Sequence, residues 1–177
     1  MNTSEKSVIL TLSVFDENGS LFDTNDVENN PVVETLTGGT SLSRDLEVLF
    51  GFTGESVQQS WLLVESTSAV INGSISYGFS GSVASVAASS TGQKRALFSH
   101  IATSGGLFTG VALLNSGQLA TNVRLLAITP TGDVLGSYNT VLQPGQRLSQ
   151  LIDQLIPLAT GLDGGFIWVK SDSPIHL

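Results

Sequence analysis

Five carboxylates, Asp16, Glu17, Asp23, Asp26 and Glu28, fall within thirteen residues, and hard cations such as calcium take about six to eight oxygen ligands from loops of this kind. Asp16, Asp23, Asp26 and Glu28 are therefore the candidate metal ligands. The EF-hand spacing of a turn glycine and a closing glutamate is missing. A solvated acidic loop that keeps a sheet edge soluble accounts for the same cluster, and that reading is preferred, with no metal and no cofactor assigned. His100 and His176 are the only imidazoles. Base catalysis would need one of them beside a nucleophile on a strained elbow, and G-x-S-x-G occurs nowhere in the chain. No catalytic residue is assigned. Sequence spacing is silent on a glycosidase carboxylate pair, whose separation is spatial, and nothing else in the sequence recommends one. Gly38-Gly39, Gly105-Gly106 and Gly164-Gly165 lack the strand and helix contexts of phosphate loops and read as turns or bulges.

Trp61 and Trp168 could stack on a sugar, as exposed aromatics do in carbohydrate-binding modules. Each sits in a strand-like run that is apolar on both faces, Trp61-Leu62-Leu63-Val64 and Phe166-Ile167-Trp168-Val169, the pattern of a central buried strand. Core packing is therefore expected for both indoles, as for the core tryptophan of sandwich domains. Asn18-Gly19-Ser20 and Asn72-Gly73-Ser74 fit the glycosylation pattern, but the Asn-Gly pairs are explained as hairpin turns.

The elements that must carry these residues follow from composition and self-similarity. The chain has 177 residues, 41% apolar and 12% charged, with 15 Asp and Glu against 7 Lys and Arg and a formal charge of −8. That length bounds it to one domain or two small ones, and the acidity works against nucleic acid or an anionic membrane as partner. No apolar run reaches the length of a spanning helix, and Met1-Asn2-Thr3-Ser4-Glu5-Lys6-Ser7 is too polar for a signal peptide. The absence of cysteine removes disulfides and thiolate chemistry and leaves the compartment open. Gly at 19 positions with so little charge favours short strands and tight turns.

Four blocks recur in the same order. The strand, turn and return strand from Leu10 to Phe22 match Val123 to Leu135; Leu36 to Ser43 match Leu142 to Ser149; Trp61 to Val70 match Phe166 to Ile175. Between them, Leu42, Leu46, Leu49 and Phe50 share their spacing with Leu148, Ile152, Leu155 and Ile156. That spacing predicts a short helix over residues 42–50 and another over 148–156. The first copy carries seven extra residues, with 20 positions from Gly19 to Gly39 against 13 from Gly132 to Gly145. This insertion holds most of the acidic cluster, and the second copy builds the equivalent turn from Thr129-Pro130-Thr131-Gly132 without an acid. A head at residues 97–115 precedes only the second copy, and a tail at 75–79 follows only the first, so the chain is expected to be a piece of a longer array.

The head Phe98-Ser99-His100-Ile101, running through Gly105-Gly106-Leu107-Phe108 to Leu113-Leu114-Asn115, precedes a strand pair. A Gly38-Gly39-Thr40 or Pro144-Gly145-Gln146 turn, a short helix and a Trp/Val strand closing on Ser-x-Ser complete the unit. This pattern resembles a tandem immunoglobulin-like β-sandwich repeat of large secreted or cell-surface bacterial proteins. The resemblance implies an all-β fold of two sandwich units, each with one short helix, outside the cell, with neighbouring repeats as partners and no catalytic residues to carry over. The expected division is residues 1–80, a small-residue joint at 81–96 in which Val83–Ala87 could pair as a strand, and residues 97–177. The expected role is a non-catalytic spacer, scaffold or adhesion surface that self-associates through sheet edges. A carbohydrate- or ligand-binding module, with polysaccharide as partner, is the alternative, and exposed aromatic rings would distinguish it. Neither reading involves nucleic acid or membrane insertion.

Overall fold

The computed structural model describes residues 1–23, 25–52, 59–68, 71–79 and 82–177. The fold is all-β, in several antiparallel sheets with two short helices. Two compact units are formed, Met1–Asp16 with Ser20–Ser90, and Glu17–Gly19 with Thr91–Leu177. Among the described residues no helix is long and apolar enough to cross a membrane.

In the first unit β1 (Val8–Asp16) lies between β2 (Val32–Leu36) and β3 (Ser60–Ser66). Alternation along β1 sends Val8, Leu10, Leu12 and Val14 into a core shared with Phe22, Val27, Leu36 and Phe50, because successive side chains on a strand point to opposite faces. Asn30 ties the inserted acidic loop to this strand: its side chain accepts from the Val14 N–H at 3.1 Å and donates to the Val14 carbonyl at 2.8 Å. The helix α1 (Leu46–Phe50) opens on Asp45, whose carboxylate accepts from the Glu47 N–H at 2.9 Å, and closes on Gly51 at φ 64°. β4 (Ser74–Phe79) and β5 (Ser82–Ala87) pair with each other.

In the second unit β6 (Gln93–Phe98), β11 (Phe166–Ile175), β8 (Thr121–Ile128) and β9 (Val134–Leu142) form a four-stranded sheet in that order. β7 (Gly110–Leu114) pairs with β10 (Arg147–Leu151). Val111 and Leu113 of this pair share one core with Val123, Leu125, Ile167 and Val169 of the larger sheet, which is sandwich packing. The helix α2 (Ile152–Leu155) and a 3₁₀ turn (Pro157–Ala159) close its end, burying Ile152, Leu155 and Ala159.

The matched sequence blocks fall on matching strands. The order β2-β1-β3 corresponds to β9-β8-β11, and the registers agree as well: Val14 faces Leu62 as Ala127 faces Ile167, and Leu12 faces Val32 as Leu125 faces Tyr138. Both helices start at aligned positions, Leu46 and Ile152. They are shorter than the spacing predicts. Residues 42–45 are irregular and 147–151 form β10, whose ladder to β7 outweighs the helical periodicity of Leu148.

Candidate functional site

The predicted carboxylates do not converge. Among the described residues no group of three His, Cys, Asp or Glu side chains could hold a metal ion. Asp16 accepts from the Ser20 N–H at 2.7 Å, and Asp23 accepts from the backbone and side chain of Asn25 at 2.8 and 3.3 Å. These bonds fold the loop locally. Asp26 is half-buried, and Glu17 and Glu28 are exposed. The backbone N–H of Glu28 donates to the carbonyls of Phe50 and Gly51 at the end of α1. His100 is exposed, and His176 exchanges two backbone hydrogen bonds of 2.9 Å with Leu114. Among the described residues neither imidazole has a side-chain hydrogen bond to a hydroxyl or carboxylate.

The tryptophans depart from the expectation of core packing. Trp61 is half-buried and stacked on Phe15 with ring centroids 4.2 Å apart; its strand β3 ends the described order of its sheet rather than lying centrally. Trp168 does lie on the central strand β11, yet 39% of it is exposed. The physical reason is that, among the described residues, the outer face of the four-stranded sheet is covered at Ile128 but left open around Trp168 and Leu97. Ile167 and Val169 point into the sandwich core, while Phe166, Trp168, Lys170 and Asp172 alternate onto the opposite, outer face.

Register assembles that outer face in rows across the strands. Leu97, Trp168 and Leu126 are direct neighbours on β6, β11 and β8, and Leu97 is 60% exposed. The next row is Arg95, Lys170 and Arg124, continued on β9 by Asn139. All four are exposed. Beyond it, Asn122 donates to the Asp172 carboxylate at 2.6 Å. A depression of about 390 Å³ opens over Lys170, Arg124, Asn122, Asn139 and Asp172. Sequence reading missed the cations because they come from positions 95, 124 and 170, and only strand register makes them adjacent. The available signal was alternation: each is the strand neighbour of a core-facing residue, Arg95 of Ala96, Arg124 of Val123 and Lys170 of Val169.

A second set of polar residues that the sequence hid is structural. Asn2 and Asn115 are fully buried. Asn115 donates to the carbonyls of Leu119, Leu142 and Gln143 and accepts from the Gly117 N–H at 3.0 Å. Asn2 donates to Lys6 and Leu36 and accepts from the Ser4 N–H at 3.0 Å, an equivalent clasp in its own unit.

No family model matches the chain, and no curated protein matches it. Among solved structures the chain is similar to the Anabaena sensory rhodopsin transducer, at 18% identity and a TM-score of 0.40, over 48% of this chain and 79% of that one.

Proposed function

We propose that this chain is a non-catalytic β-sandwich module that works by recognition, displaying the outer face of its four-stranded sheet as an adhesive or ligand-binding surface. The observation that carries the reading is Trp168, held on a central strand and yet left open to solvent. A large amphipathic ring with few rotatable bonds is a common anchor of binding surfaces, and burial in the core would have left the sheet a mere spacer. A location outside the cell, in series with neighbouring modules of the same kind, is part of the proposal. It rests on the resemblance of the head, turn and closing-strand motifs.

The test is retention of the intact chain on immobilised polysaccharides, neutral and charged, compared with Trp168→Ala. Retention that the substitution abolishes, with the circular dichroism spectrum unchanged, supports the module. Equal retention of both proteins, or none of either, overturns it.

A further inference from the structure

We propose that the row Arg95, Lys170 and Arg124 is a binding site for the carboxylates of an acidic polysaccharide, with Trp168 beside it as the stacking platform for a sugar ring. This rests on the module reading above and names its ligand class.

Three like charges stand directly opposite one another across β6, β11 and β8, an arrangement that costs stability because neighbouring strands are only about 4.8 Å apart. Among the described residues none of the three side chains makes an ion pair or a hydrogen bond. The sandwich therefore holds a cationic row that its own acids do not neutralise, and a local conflict of this kind marks functional surfaces. The net charge of −8 does not argue against an anionic ligand at this face. Residues 91–177 carry five Lys and Arg against four Asp and Glu, whereas residues 1–90 carry two against eleven.

The groups around the row select among anions. Asn139 extends it on β9, and Asn122 and Asp172 border it, all around the same depression as Lys170 and Arg124. Amides donate to and accept from hydroxyls, and the Asp172 carboxylate only accepts. An all-acid peptide would meet Asp172 as a like charge. A polymer bearing both carboxylates and hydroxyls satisfies every group: carboxylates on the guanidinium and ammonium groups, hydroxyls on the two amides and on Asp172. Trp168, in the adjacent row, presents a ring for the apolar face of a sugar.

The experiment is calorimetric titration of the full chain, at low and at physiological salt, with three probes: an oligogalacturonate, the same oligomer methyl-esterified, and poly-L-glutamate. The expected result is binding of oligogalacturonate that weakens with salt. Esterification, Lys170→Gln, Arg124→Gln and Trp168→Ala should each weaken it about tenfold or more, and Lys6→Gln in the first unit should leave it unchanged. Thermal melts of the variants within a few degrees of the parent confirm that they fold. Equal binding of the esterified oligomer, still lost in Trp168→Ala, overturns the acidic-sugar site and leaves the module reading standing. Poly-L-glutamate bound as tightly as the oligogalacturonate reassigns the row to an acidic protein partner and overturns the proposal. No binding of any of the three probes at millimolar concentration also overturns it.

Discussion

The side-chain amide of Asn115 donates to the backbone carbonyl of Leu142 at 2.9 Å, inside a site from which solvent is excluded. The bond joins the segment after β7 to the end of β9, and Asn2 makes the corresponding 3.1 Å bond to Leu36 at the end of β2. In each unit one asparagine satisfies carbonyls that would otherwise be buried without a donor.

Asn115→Ala should therefore cost about 1–3 kcal/mol, because it strands carbonyls in the interior without adding a donor. Asn115→Asp should cost more, since a carboxylate would face the carbonyls of Leu119, Leu142 and Gln143. Urea melts of both variants check this. An Asp variant as stable as the parent would contradict the clasp.

How much of this was legible in the sequence depended on periodicity. Leu10 to Val14 alternate apolar and polar, and Val123 to Ala127 do so except at Leu126, so the corresponding strands β1 and β8 and their inward faces could be read directly. Asn2 and Asn115 could not: Asn2 lies in a polar run, Asn115 precedes Ser116-Gly117 as a turn residue would, and burial is a tertiary property. Trp168 was misassigned for a related reason. A strand apolar on both sides is consistent with burial between two layers and equally with a bare outer face, and nothing local to β11 says whether a second layer covers it. The cation row was invisible because Arg95, Arg124 and Lys170 are far apart in the chain.

The same distinction between pattern and packing bears on the helices. Ile152 is fully buried, whereas Leu46 at the aligned position is half-buried and Phe50 fills the first core. Ile152→Ala should cost about 2–5 kcal/mol and Phe50→Ala about 3–5 kcal/mol, with Leu46→Ala below both. Glu28→Ala, on the surface, should stay within about 0.5 kcal/mol of the parent. A denaturant midpoint for Leu46→Ala lower than that of Phe50→Ala would contradict the packing.

Gly165 adopts φ +87° immediately before β11, and a Cβ there would run into the Ile128 carbonyl. Gly132, at φ +93°, has nothing within 4 Å of a Cβ. Gly132→Ala pays only for the left-handed backbone, about 1–2 kcal/mol, while Gly165→Ala must also displace the end of the β8–β11 ladder. Thermal unfolding should therefore place the Gly165 variant clearly below the Gly132 variant, and the reverse order would refute the close approach.

Calcium should add less than about 1 kcal/mol of stability at millimolar concentration, which mass action equates with millimolar or weaker affinity. Asp23 already accepts two bonds from Asn25, so binding a cation there would first require the loop to refold. Calorimetry in the micromolar range, with Asp23→Asn plus Asp26→Asn as control, decides it: a saturable isotherm abolished by the double variant would establish a site.

Self-association is expected at the sheet edge rather than at the cationic face. β9 ends the order β6-β11-β8-β9, so among the described residues one side of its backbone carries no ladder. Val134 and Val141 on this strand are 61% and 47% exposed. An unpaired edge with exposed β-branched residues is a template for another chain, and edge-to-edge pairing of two copies about a two-fold axis would continue the antiparallel sheet. Sedimentation velocity across a hundredfold concentration range should show a monomer and dimer in exchange. Val141→Lys should shift the balance to monomer, because a charge on an edge strand opposes pairing. Lys170→Gln, at the centre of the outer face, should leave it unchanged. A strictly monomeric parent, or a dimer indifferent to Val141→Lys, would refute association through β9.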